Sequence, residues 1–156
     1  MSPGEAEFIN RIGLFFEMLG GPRTMGRLYG WLMICDPPQQ SLTQLADVLS
    51  VSKASVSTVA RLLQDAGMIE RLPSATRQHL YRVTPGGFTS VLNTQLSRMS
   101  LGIEAAEFGL SLLGKDRAEQ GERLEDFRDF CEFSAHDYGD QWMASWNEYR
   151  EKRRRS

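Results

Sequence analysis

The sequence predicts a mainly α-helical chain with one small β-hairpin, ordered as a winged helix-turn-helix between N- and C-terminal helical arms. Three observations carry this expectation. Two capped helices follow each other across a short break at Ser50-Val51. Two short strand-like runs come directly after the second helix. Apolar residues at helical spacing continue on both sides of this centre.

The first helix is signalled by Phe8, Ile9, Ile12, Phe15, Phe16 and Leu19, which share one face. Gly20-Gly21 closes it, and Pro22 suits the first turn of the next helix, where a missing N–H costs nothing. That second helix runs to about Cys35 through Met25, Leu28, Tyr29, Leu32 and Met33, and Asp36-Pro37-Pro38 stops it. Ser41 with Gln44 has the spacing of a capping box and opens a third helix faced by Leu42, Leu45, Ala46 and Leu49. Ser52 caps the fourth, whose inner face is Val56, Val59, Leu63 and Ala66, and Gly67 ends it.

Residues 68–72 and 79–84 read as the strands of a hairpin with a polar tip, Pro73 to Gln78. Thr84-Pro85 is expected to restart helix as cap and first position. In that helix Leu92, Leu96, Met99, Ile103, Ala106, Leu110 and Leu113 alternate steps of four and three, an a/d seam. Gly114 breaks it. A last helix over about 117–150 carries Leu124, Phe127, Cys131, Tyr138, Trp142, Trp146 and Tyr149, followed by the basic run Lys152 to Arg155. The expected domains are a dimerisation helix over 1–20, a DNA-binding winged helix over 21–84, dimerisation helices over 85–150 and a basic tail over 151–156.

Composition narrows the function class. At 156 residues and 41% hydrophobic content the chain can bury an ordinary core. Its apolar runs fall short of the roughly 20 residues a membrane span needs, and no basic segment precedes an apolar one at the start. A cytoplasmic location without membrane contact is expected. Cys35 and Cys131 stand far apart, which fits neither a CxxC knuckle nor a disulfide scaffold. His79 and His136 lack enough neighbouring ligands for a metal site. No nucleophile–base pair and no phosphate-binding glycine loop is present, so neither an enzyme nor a cofactor is expected.

The formal net charge is −2, but it is unevenly spread. Residues 52–82 carry +3, residues 83–149 carry −7 and residues 150–156 carry +4. A basic centre set against an acidic segment is the footprint of one face that meets phosphates.

On the fourth helix Ala54, Ser57, Thr58 and Arg61 form a stripe of small polar residues ending in arginine, opposite the apolar face. Small residues allow close approach to the major groove, hydroxyls bond bases or phosphates, and arginine matches the O6/N7 edge of guanine. Ser52, Lys53 and Ser55 flank the stripe. A lone helix with such a face is more often a plain solvated surface, and the capped helix before it and hairpin after it reverse that balance. At the hairpin, Ser74, Thr76, Arg77 and Gln78 are candidate DNA contacts. Arg77 reaches a phosphate or the minor groove, or is a solvated turn arginine. Arg71 and Arg82 contact the backbone or face water.

The segments Gly20 to Leu32, Ser41 to Asp47 and Val51 to Arg71, with Ser-Lys-Ala-Ser-Val-Ser at a helix start and Ala-Gly at its end, resemble the MarR-type family of regulators. Within it they look most like the branch that includes the regulator of glycine betaine synthesis. The resemblance covers about residues 8–90. It departs at the wing, where Thr76-Arg77-Gln78-His79 stands in place of an acidic residue with several arginines. It implies a homodimer, repression of nearby genes and release by a ligand or cellular signal.

The long seam and the aromatic last helix favour a dimer independently, although part of the seam also suits packing within one chain. Two subunits would meet a palindromic operator, with half-sites about 34–36 Å apart. Phe15, Tyr29, Trp31, Trp142 and Trp146, with Phe16 and Tyr149, form either an aromatic core or an effector pocket for a flat apolar or quaternary ammonium ligand. Cys35, on an apolar face, reads as a buried thiol before a redox switch. The tail reads as a disordered electrostatic extra that touches DNA or nothing. The low net charge and reduced wing also suit a winged helix that has become a protein-interaction module.

Overall fold

The computed structural model describes residues 1–73, 78–114 and 116–155. They fall into two compact units, Met1–Val91 and Leu92–Ser156.

In the first unit, α1 (Pro3–Met18) begins with a capping box: Ser2 Oγ accepts from the Glu5 N–H while the Glu5 carboxylate accepts from the Ser2 N–H. The same hydrogen bonds hold the Glu5 carboxyl below its ordinary value. The helix packs along α2 (Arg23–Ile34), so the expected arm is part of the core of this unit. Gly26 and Gly30 allow the close approach, since a Cβ on Gly26 would lie 2.6 Å from the Ile12 carbonyl oxygen. Pro22 stands at the N-cap, one position earlier than expected.

A two-residue strand β1 (Gln40–Ser41) precedes α3 (Leu42–Leu49). The Ser41–Gln44 capping box forms as expected. A left-handed Ser50, at φ 55°, ends α3 and turns the chain into α4 (Lys53–Asp65). Val56, Val59, Ala60 and Leu63 of α4 are buried with Ile9, Leu28, Leu45 and Leu49 in one core, while Ala66 is only half-buried at the C-cap. Gly67, at φ 70°, supplies the expected end.

Strands β2 (Ile69–Leu72) and β3 (Leu80–Val83) pair antiparallel, with Glu70 opposite Arg82 and Arg71 opposite Tyr81. Strand β1 adds to the far edge of β3 through Gln40 opposite Tyr81, giving the order β1-β3-β2. The expected hairpin is therefore part of a three-stranded sheet. Ser74, Thr76 and Arg77 of the hairpin tip lie outside the described residues.

Helix does not restart at Thr84-Pro85. Gly86 turns left-handed at φ 75°, and α5 (Gly87–Ser97) begins after it. Gly87 sits so close to Gly67 and Met68 that a Cβ would lie 2.8 Å from their backbone atoms, which favours a tight turn over a helical cap here.

The seam expected in one helix is divided between α5 and α6 (Ser100–Ser111). Serine hydroxyls account for the break. Ser97 Oγ donates to the Thr94 carbonyl and Ser100 Oγ to the Ser97 carbonyl, while the N–H groups of Leu101 and Gly102 bond carbonyls only three residues back.

In the second unit α6 packs on α7 (Ala118–Glu132). The last helix expected over 117–150 is interrupted by a π-helical stretch, Phe133–Tyr138, before α8 (Gly139–Arg155). The basic run, expected as disordered, forms the final turn of α8, with Lys152 paired to Glu148 at 2.6 Å. Among the described residues no helix is long and apolar enough to cross a membrane.

Candidate nucleic-acid interface

Helix α4 is fixed from behind and open in front. Its apolar residues are buried against α2 and α3, whereas Lys53, Ala54, Ser57, Thr58 and Arg61 are all exposed. The periodicity that buries positions 56, 59, 60 and 63 is what presents 54, 57, 58 and 61 outward. Ser52 works as the cap, its Oγ accepting from the Ser55 N–H at 3.1 Å. Ser55 is accordingly half-buried and belongs to the capped turn more than to the open stripe.

Two side chains of the stripe have defined chemistry. Thr58 Oγ1 donates to the Ala54 carbonyl at 3.0 Å, so its proton is engaged and the oxygen keeps only its acceptor role toward a ligand. Arg61 has no ion-pair partner among the described residues, nor does Lys53. Both cations are therefore available to a ligand.

The wing arginines differ. Arg82 is held by Glu70 across the strand pair at 2.6 Å, a salt bridge that neutralises it. Arg71 is exposed on the neighbouring strand position without such a partner among the described residues. Gln78 is exposed at the base of the wing.

Gln78 also lines a surface cavity of about 270 Å³ together with Leu42, Thr43, Lys53 and His79. Thr43 and His79 are residues the sequence did not single out as DNA contacts. The signal for Thr43 is its place in the first turn of a capped helix, where N–H groups stay outside the intrahelical ladder.

A separate apolar cleft of about 210 Å³ opens between α1, α2 and the start of α5. Phe15, Tyr29, Ile12, Phe16, Met33 and Phe88 line it, and burial pushes the Tyr29 phenol up. The rings of Phe15 and Phe88 lie 6.1 Å apart across it. Of the expected pocket aromatics, Trp31 is not part of the lining, and its buried indole N–H has no partner among the described residues. Trp142 and Trp146 stack on each other along α8 in the second unit, with centroids 6.4 Å apart. Among the described residues no group of three or more His, Cys, Asp or Glu side chains is placed to hold a metal ion.

Comparison with known proteins agrees with this geometry. Residues 33–78 match the model of the MarR family, and residues 86–149 match that of MmpR5-like MarR family transcriptional regulators. The HTH-type transcriptional regulator MmpR5 of Mycobacterium tuberculosis (strain ATCC 25618 / H37Rv) is 36% identical over 132 residues, covering 84% of this chain and 80% of that protein. A crystal structure of a transcriptional regulator superposes with a TM-score of 0.81 at 32% identity, covering 94% of this chain and 99% of the other. From the held and open faces of α4 through to this full-length likeness, the chain belongs to the MarR family of DNA-binding transcriptional regulators.

Proposed function

We propose that the chain acts as a homodimeric repressor on an inverted-repeat operator and is released when a small apolar molecule occupies the cleft at Phe15 and Tyr29. The observation that carries the DNA-reading half is the exposed stripe Ala54, Ser57, Thr58 and Arg61 on a helix whose opposite face is locked into the core. In this reading Ala54, Ser57, Thr58 and Arg61 meet base edges. Lys53, Arg71 and the wing residues Ser74, Thr76, Arg77 and Gln78 meet phosphates or the minor groove.

The dimer follows from apolar surface in the second unit. Leu101 and Phe108 of α6 and Leu112 at its C-cap are each 65–67% exposed, and Phe127 and Phe130 of α7 are also exposed. Such side chains are the kind of apolar surface that a second copy of the chain would cover. Two recognition helices would then address half-sites about 34–36 Å apart.

The cleft favours a neutral ligand, because no charged side chain among the described residues lines it.

Selection from a random duplex library tests the reading. A twofold-symmetric consensus, bound far more tightly than random DNA by a species of twice the chain mass, is the expected result. Equal affinity for all duplexes would overturn the operator specificity, and failure to bind any duplex would leave a winged helix used for protein contacts instead.

A further inference from the structure

We infer that Thr43, Lys53 and His79 together hold one phosphate of the DNA backbone in the cavity where the first turns of α3 and α4 meet the base of the wing. The inference rests on the family's DNA binding and not on the proposed operator specificity.

Three features converge on that cavity. It is lined by Leu42 and Thr43 at the start of α3, Lys53 at the start of α4, and Gln78 and His79 at the entry to β3. The caps use other atoms: Ser41 Oγ takes the Gln44 N–H and Ser52 Oγ takes the Ser55 N–H. The N–H groups of the first two residues of each helix stay outside the ladder, so both helix ends present partial positive charge to the same region.

The side chains supply what two helix ends alone do not. Lys53 contributes a full charge without an ion-pair partner among the described residues. Thr43 and Gln78 bring a hydroxyl and an amide, and His79 an exposed imidazole. Among the described residues, no acidic side chain lines the cavity. A cation beside hydroxyl, amide and imidazole groups, with no carboxylate among the described lining residues, suits a phosphodiester.

The position suits it too. The cavity shares Lys53 with α4, whose stripe begins at the next residue, Ala54, so a phosphate held there lies beside the base-reading face. Such a contact sets the register of the reading helix and carries no sequence information of its own.

The test uses the full chain and a random-sequence 30-bp duplex, with affinity measured across a salt series. Lys53→Met is expected to reduce the slope of log affinity on log salt by about 0.9 per protomer. Thr43→Val and His79→Ala are each expected to weaken binding about 2- to 10-fold, leaving the slope unchanged. Lys53→Met with His79→Ala should lose less than the product of the single effects, because both act on one phosphate. Thermal melting of each variant confirms that the fold is kept.

Thr43→Val and His79→Ala binding like the wild type would overturn the assignment, as would a fully multiplicative double variant. Inorganic phosphate that competes with the duplex at constant ionic strength for the wild type, but not for Lys53→Met, would place both anions in this cavity and support the assignment. Because random DNA is the probe, absence of an operator consensus would sink the proposed specificity and leave this contact standing.

Discussion

The Arg27 guanidinium donates to the Leu49 carbonyl at 3.2 Å, tying the middle of α2 to the last residue of α3. That carbonyl is one of those a helix end leaves without an intrahelical donor. The next residue, Ser50, is the left-handed turn that aims α4. The bond therefore anchors α4 to the α1–α2 pair, and Gly13 lies close enough to Arg27 that a Cβ there would be 2.8 Å from its side chain.

Arg27→Met is expected to keep the packed stem and lose the bond. Charge-assisted hydrogen bonds contribute about 1.5–3 kcal/mol, while removing an Nε that has no partner among the described residues relieves part of that burden. A loss of about 1–2 kcal/mol in urea unfolding is expected, with affinity falling evenly across DNA sequences. Unchanged unfolding and binding would show that the turn is held by its own backbone bonds.

Thr58 and Arg61 should fail in different ways. Arg61→Ala removes the one basic side chain of the stripe and should lose about 1–3 kcal/mol of discrimination at one base pair of each half-site. Thr58 has committed its proton to the Ala54 carbonyl, so toward DNA its oxygen acts as an acceptor. Thr58→Val deletes the acceptor and keeps the shape. Its expected effect is a changed preference at one position with total affinity for random DNA intact, read from affinities against a panel of single-base operator variants. Uniform weakening would place Thr58 on the phosphate backbone.

Much of this site was legible in the sequence, for a local reason. The caps at Ser41 and Ser52, the end at Gly67 and the buried and open faces of α4 all depend on residues within one or two turns. What escaped depends on distant partners. Strand β1 is two residues long and exists only because β3 lies beside it. Thr43 and His79 lie 36 positions apart and meet only in the folded cavity. The break between α5 and α6 has no proline or glycine at residues 97–101 to announce it, and the a/d seam ran straight across it. Trp31 was grouped with Phe15 and Tyr29 by aromatic type, but its place on α2 keeps it out of the cleft lining.

Cys35 is only 7% exposed, and burial pushes its thiol up, with the neighbouring Asp36 carboxylate adding to the effect. Thiolate is the reactive form. In the native protein at neutral pH, alkylation of Cys35 by iodoacetamide is expected to be much slower than in denaturant, and mild oxidant should leave DNA binding unchanged. The raised folded value also sets a sign. The unfolded thiol loses its proton first as pH climbs, so this group's contribution is complete below the ordinary thiol range and is lost as pH rises through the folded value. A Cys35→Ser variant should flatten that alkaline part of the stability profile. Rapid native alkylation would instead make Cys35 accessible to a redox signal.

Gly102 and Cys131 set how closely α6 and α7 approach. A Cβ on Gly102 would lie 2.6 Å from Cys131 Sγ, and one on Gly109 would lie 3.0 Å from Leu124 Cδ1. With the buried Ala106 these positions form a small-residue line along α6, against which the larger α7 side chains pack. Gly102→Ala is expected to cost about 1–3 kcal/mol through overpacking, despite alanine's better helix propensity. Cys131→Ala removes the atom in the way and loses a buried sulfur of its own. The double variant should therefore cost less than the two single changes added together, by about 0.5–3 kcal/mol in a chemical-unfolding cycle. Strict additivity would mean that the helices separate to accept the new methyl group. In that case the exposed Phe127, which lies 3.3 Å from the same added Cβ, would have to move with α7. The oligomeric state of Gly102→Ala in solution would then change along with its stability.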